Sequence, residues 1–160
     1  VKTKVVFCKD ANRRGDFGQT SFDFLGYTFR GRPAQGPRGY FTGFNPAISG
    51  KAKKAKGQQI RDWHLNRRSS ADLSGLAEEI NPQVRGWVNY YGAFYRSELR
   101  FLAWRINEHL ARWAMQKFKR FRGKYAKAMD WLQKVYQHQP ELFAHWRLIA
   151  FTASRTVRAG

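Results

Sequence analysis

The stretch Asn81-Pro82-Gln83-Val84-Arg85-Gly86-Trp87-Val88-Asn89-Tyr90-Tyr91-Gly92 reads as the start of a two-faced helix. Pro82 suits a first helical turn, where its missing N–H would go unpaired anyway, and Asn81 before it is a good N-cap. At about 100° per residue, Val84, Trp87, Tyr91, Phe94 and Tyr95 fall on one side, and Arg85, Asn89, Gly92 and Arg96 on the other. The aromatic side is expected to be core. The opposite side joins two cations and an amide to a glycine, which costs helix stability and is justified where another backbone comes close. That face suits a phosphate backbone.

Downstream, Ser97 to Phe121 carries the clearest helical period. Leu99, Leu102, Ala103, Ile106, Leu110, Trp113, Ala114 and Phe121 form its main apolar stripe. A second stripe, Trp104, Ala111, Met115 and Phe118, lies well round the cylinder, so packing on two sides is expected. Between them Arg105, Arg112 and Lys119 recur every seven residues, about 10 Å apart along the axis; this row is either an RNA-facing line or an ordinary solvated face. Lys124 to Gln137 reads as a short helix, and Leu142 to Trp146 as an apolar turn capping the bundle.

Upstream, Ser70 to Ile80 is helical through Leu73, Leu76, Ala77 and Ile80, with a possible kink at Pro82. Lys51 to Leu65 is a strongly basic helix candidate containing Gly57. Residues 3 to 9 and 21 to 30, β-branched and aromatic, read as two strands separated by a polar loop. Gly31 to Gly39 reads as a Pro/Gly/Arg linker. The expected fold is therefore mainly α, with a small β unit and linker at residues 1–38 and a helical domain at residues 39–160.

Thirty Lys and Arg against eleven Asp and Glu give a formal charge of +19. Self-repulsion of that size points to a polyanionic partner, with nucleic acid the first candidate. A membrane surface is second, but no long apolar segment, signal-peptide pattern or isolated amphipathic tail supports it. The expected setting is soluble and cytoplasmic. Six Trp, seven Tyr and thirteen Phe exclude a disordered basic tail. Cys8 stands alone, and His64, His109, His138 and His145 lack metal-ligand spacing, so neither an internal disulfide nor a metal site is expected.

Seven cations, Lys51, Lys53, Lys54, Lys56, Arg61, Arg67 and Arg68, surround Trp63 and favour phosphate contact. Lys117, Lys119, Arg120, Arg122 and Lys124 form a second cluster, which would also complement a helix dipole. Trp63, Trp87, Tyr90 and Tyr91 could stack on unpaired bases or sit in the core. Trp87 and Tyr91 are assigned to the core, and Tyr90, nearer the boundary, joins the RNA-binding candidates.

Residues 85–91 resemble the R-G-W-x-N-Y-Y signature of the maturase-specific domain, or domain X, of group II intron reverse transcriptases. Lys2-Thr3-Lys4, Phe22-Asp23-Phe24-Leu25-Gly26-Tyr27, Asn45-Pro46-Ala47-Ile48-Ser49, Trp113 and Lys117 to Arg120 extend the resemblance over nearly the whole chain. It implies the end of a polymerase palm running into an α-helical thumb. The implied partners are group II intron RNA, an RNA template with its DNA primer, and the remainder of the palm, in a bacterial cytoplasm. Phe24, Leu25, Gly26 and Tyr27 would be a primer grip, a turn that positions the primer's 3′ end, or are an ordinary hairpin residue set. Lys2 or Lys4 matches the region of a lysine beside the departing pyrophosphate, or is a plain edge-strand lysine.

Such polymerases hold two magnesium ions on paired aspartates. Asp10, Asp16 and Asp23 are scattered, and no Tyr-x-Asp-Asp motif occurs. The chain is therefore expected to carry no catalytic residue and no cofactor of its own and to make no DNA alone, the chemistry lying in a preceding part. No clustered Cys and His follow Trp146, so no endonuclease is expected. The alternatives are a stand-alone basic RNA-binding or ribosome-associated protein with no polymerase parent, and a DNA-binding module.

Overall fold

The computed structural model describes residue 3, residues 5–9 and residues 13–150. Three antiparallel strands come first, β1 (Ser21–Phe24), β2 (Tyr27–Gly36) and β3 (Gly39–Ile48), in the order β1-β2-β3. Four helices follow: α1 (Gly50–Asp62), α2 (Leu73–Tyr91), α3 (Arg100–Lys117) and α4 (Tyr125–His138). Short 3-10 turns lie at Leu65–Arg67, Arg96–Leu99, Lys119–Phe121 and Ala144–Leu148. The fold is mainly α with a small antiparallel sheet preceding the helices. Its two compact units divide within α1, after Lys54.

In the sheet unit, residues 21–30 form a hairpin rather than one strand. Leu25 (φ 49°) and Gly26 (φ 80°) both take positive φ, the signature of a two-residue turn whose twist matches its strands. Phe22 stacks on Phe29 at 4.8 Å, with Phe44 at 6.3 Å. The expected linker Gly31 to Gly39 is instead the outer half of β2 and a second tight turn, with Gly36 opposite Gly39. Pro33 is tolerated because β1 pairs with β2 only as far as Arg30; beyond it, Pro33 needs to donate nothing on that side. Residues 5–9 are not a strand: Phe7 N–H donates to Gln19 O and Lys9 N–H to Phe7 O, both at 3.0 Å. A Cβ on Gly31 would lie 2.5 Å from the Lys9 carbonyl oxygen, so glycine is required where that segment crosses β2. Lys2 and Lys4 lie outside the described residues.

In the helical unit, α2 runs unbroken through Pro82, which corrects the expected start at Asn81. The N-cap is Asp72, whose Oδ1 accepts from Gly75 N–H at 2.7 Å. Asn81 is buried and bridges backbone elsewhere: Nδ2 donates to Leu142 O at 2.9 Å, and Oδ1 accepts from Ala144 N–H at 2.8 Å. The core joins Leu76, Ile80 and Val84 of α2, Ile106, Leu110 and Trp113 of α3, Leu132 of α4, and Phe143 and Trp146 beyond it. The main stripe of α3 is buried and the second is buried or half-buried, as two-sided packing requires. Trp113 Nε1 donates to Arg68 O at 2.9 Å, pinning the loop after Leu65–Arg67 against α3. Among the described residues no helix is long and apolar enough to cross a membrane.

Candidate nucleic-acid interface

Arg85 and Asn89 are exposed on α2, one helical turn apart. The helix ends at Tyr91, so Phe94, Tyr95 and Arg96 do not continue its faces; Phe94 is exposed and Arg96 opens the next 3-10 turn. Gly92 has a reason other than an approaching phosphate. Its N–H caps Val88 O at 2.9 Å, and a Cβ there would meet that same oxygen at 2.3 Å. Even so, the chain's turn at Gly92 brings Arg96 back, so that Arg85, Asn89 and Arg96 line one cleft of about 450 Å³. Val88, Ala144, Glu141 and Arg147 complete it. Asn81, donating to Leu142 O and accepting from Ala144 N–H, holds the segment whose Glu141, Ala144 and Arg147 line the cleft.

A second cationic region joins α1 to α3 within the helical unit. His109 is held below the usual histidine range by burial first, then by the charges of Arg112, Arg105 and Arg61. Arg61 and Arg112 are exposed; Arg105 is half-buried, close enough to Gly57 that a Cβ there would lie 3.6 Å from its Nε. On α1, Lys51 and Lys54 are exposed, whereas Lys53 and Lys56 are half-buried. Lys56 Nζ sits 5.2 Å above Trp87, which stacks nearly parallel to Trp63 at 5.7 Å. Trp63 also donates to Gln83 Oε1 at 3.3 Å, so one of its faces and its N–H are already engaged.

The remaining candidates separate by environment. Arg67 is exposed, while Arg68 pairs with Glu79 at 2.5 Å, a hydrogen bond that holds the Glu79 carboxyl below its usual range. Lys117 is part of the fold, donating to Ser69 O at 2.9 Å and Ala71 O at 2.7 Å. Phe118 is extended (φ −107°, ψ 116°), which ends α3; Lys119 therefore leaves the seven-residue row of Arg105 and Arg112. Arg120 is exposed and lies 4.6 Å from the Phe121 ring. Tyr90 is 47% exposed and meets Tyr91 edge-on at 4.7 Å; Tyr91 is half-buried. In the sheet unit, Phe24 (60% exposed) and Leu25 (67%) form an apolar turn tip beside Gly26 and Tyr27, steadied by Ser49 N–H donating to Gly26 O at 2.8 Å.

Sequence reasoning missed Glu141, Arg147 and the role of Asn81. Their partners lie far along the chain or in an irregular segment, where no periodicity points to them. A buried group of Asn107, His145 and Trp146 was missed for the same reason: Asn107 Oδ1 accepts from Trp146 Nε1 at 2.9 Å and lies 2.8 Å from His145 Nε2.

The geometry thus defines a class: a basic, mainly α module with a polar cleft lined by arginines. The chain belongs to the group II intron maturase-specific domain family, whose family model matches residues 53–136, more than half of the 160 residues. The matched span contains α2, α3, Arg85, Asn89 and Arg96. No curated protein and no solved structure matches the chain.

Proposed function

We propose that this chain is the RNA-binding maturase and thumb region of a group II intron reverse transcriptase. One observation carries the reading: Arg85, Asn89 and Arg96, in the span matched by the family, converge on a single cleft. Guanidinium forks and an amide in a concave surface suit phosphate oxygens. Contacts of this kind bind the folded intron in preference to its open states, and so stabilise the splicing-competent form by linkage. The region around His109 supplies further cations.

On the same reading the sheet unit is the end of the palm, and the exposed turn Phe24 to Tyr27 positions the primer terminus while the helical unit clamps template and primer. Polymerisation implies magnesium, and the residues here do not fit it: among the described residues no group of three or more His, Cys, Asp or Glu side chains could hold a metal ion. The reading assigns the metal pair to the rest of the palm, and the protein to a bacterial cytoplasm.

Filter-binding titration of the full chain with a folded group II intron transcript, over a range of salt, tests the proposal. Tight binding with log K falling steeply against log salt is the expected result. Absence of binding, or a flat salt dependence, overturns it.

A further inference from the structure

The cleft beside α2 holds one acid among its cations. Of its described lining residues, Arg85, Arg96 and Arg147 are basic and Glu141 is the carboxylate. Glu141 Oε2 accepts from Arg147 Nε at 2.9 Å and also from its Nη2. Both side chains remain open to water, at 65% for Arg147 and 68% for Glu141. An ion pair this exposed contributes little, because solvent screens it and holding two long side chains in one geometry costs entropy. Arg147 is therefore readily released to a better anion. A phosphodiester, with two free oxygens that match a guanidinium fork, is such an anion.

We propose that Glu141 is a placeholder for an RNA backbone phosphate. In the free protein its carboxylate engages Arg147 at the wall of the cleft. On binding, a phosphate takes that position on Arg147, the carboxylate turns to solvent, and Arg85, Asn89 and Arg96 complete the seat. The resident acid also disfavours weaker anions, which must displace it without offering a bidentate partner in return. Glu141 and Arg147 lie outside the matched span 53–136, so the seat joins the family's helices to a segment beyond them. This inference rests on the RNA-binding reading above.

The test uses the full chain and the folded group II intron transcript. Arg147→Ala should weaken binding about tenfold, the scale of hydrogen bonds to a charged group, and lower the salt slope by about one. Arg147→Lys, which keeps the charge and loses the fork, should fall between the two. Glu141→Gln should strengthen binding roughly two- to fivefold, the scale of an exposed ion pair, and this gain should vanish in the Arg147→Ala background. A gain that persists undiminished there reports general charge repulsion and overturns the placeholder. So does normal binding indifferent to Arg147→Ala. If the unaltered chain binds no transcript, the RNA-binding reading fails and this inference falls with it. Thermal melts should match for all variants, since both residues are exposed.

Discussion

Two residues apart on α2, Arg85 faces solvent while Trp87 is 9% exposed and stacked on Trp63. Arg85→Ala should therefore cost roughly 1 to 3 kcal/mol of RNA binding, as for hydrogen bonds to charged groups, and leave the thermal midpoint nearly unchanged. Trp87→Ala should do the reverse, costing roughly 3 to 5 kcal/mol of folding stability as a large buried aromatic. Unfolding of the Arg85→Ala variant, with residual affinity intact, would make Arg85 structural. His145 offers a second residue-scale test. Fully buried, its imidazole has its pKa lowered to about 3 by desolvation. Asn107 Oδ1 can only accept, so the bond at 2.8 Å requires the proton on His145 Nε2, while Nδ1 has no hydrogen-bond partner. In the unfolded chain histidine titrates near about 6.5. The folded value is depressed, so this contribution is fully present above that pH and is lost as pH falls toward 3, at about 1.4 kcal/mol per unit. Urea unfolding of the wild type should weaken more steeply between pH 6.5 and 4 than unfolding of His145→Gln. Parallel curves would assign the acid sensitivity to other groups.

At the scale of elements, the sequence was legible where periodicity was long. The main stripe of α3 and the apolar spacing of Leu76, Ile80, Val84 and Trp87 placed core faces that are buried in the fold, and the second stripe placed a largely half-buried one. It misled where a local preference met a tertiary partner. Asn81-Pro82 has the form of a helix start, yet Asn81 is held by Leu142, 61 residues away, and α2 tolerates Pro82 on an exposed face. Gly31 to Gly39 has the composition of a linker, yet Pro33 sits on β2 beyond the end of its pairing with β1, and Gly31 makes room for the Lys9 carbonyl. The cleft was half legible: Arg85 and Asn89 share a face by helical arithmetic, whereas Arg147 enters from a single short 3-10 turn, too brief for any period to mark. Asn81→Ala distinguishes the two descriptions of its element. As a bridge, its loss leaves the Ala144 N–H and Leu142 carbonyl without these partners and should cost roughly 1 to 3 kcal/mol, with faster hydrogen exchange at Ala144. Were it an N-cap, the loss would appear as fraying of α2 after Asn81, with Ala144 unaffected.

For the whole molecule the governing quantity is the charge of +19 on 160 residues. Part of it serves the fold: Lys117 binds backbone carbonyls, Arg68 pairs with Glu79, and Lys56 covers the Trp87 ring. Much of the rest stands at the surface without comparable acid, including Lys51, Lys54, Arg61, Arg67, Arg85, Arg112, Lys119 and Arg120. Concentrating like charge raises the free energy of the compact state, and a polyanion relieves it by releasing its own counterions. The two uses of charge respond differently to mutation. Replacing Lys53, Lys54 and Lys56 together by Gln should weaken binding to structured RNAs of unrelated sequence by similar factors, because phosphate contacts carry no base information. The slope of log K against log salt should flatten by about one for each phosphate that is no longer neutralised. Folding should change little, since removing the half-buried Lys56 ammonium from above Trp87, about 1 kcal/mol for a cation over a ring that is only partly desolvated, is offset by relief of repulsion. Binding measured from low to moderate salt, beside a urea melt of the same protein, checks both halves. An unchanged slope would move the phosphate contacts off these three lysines and onto the α2 cleft and the arginines around His109.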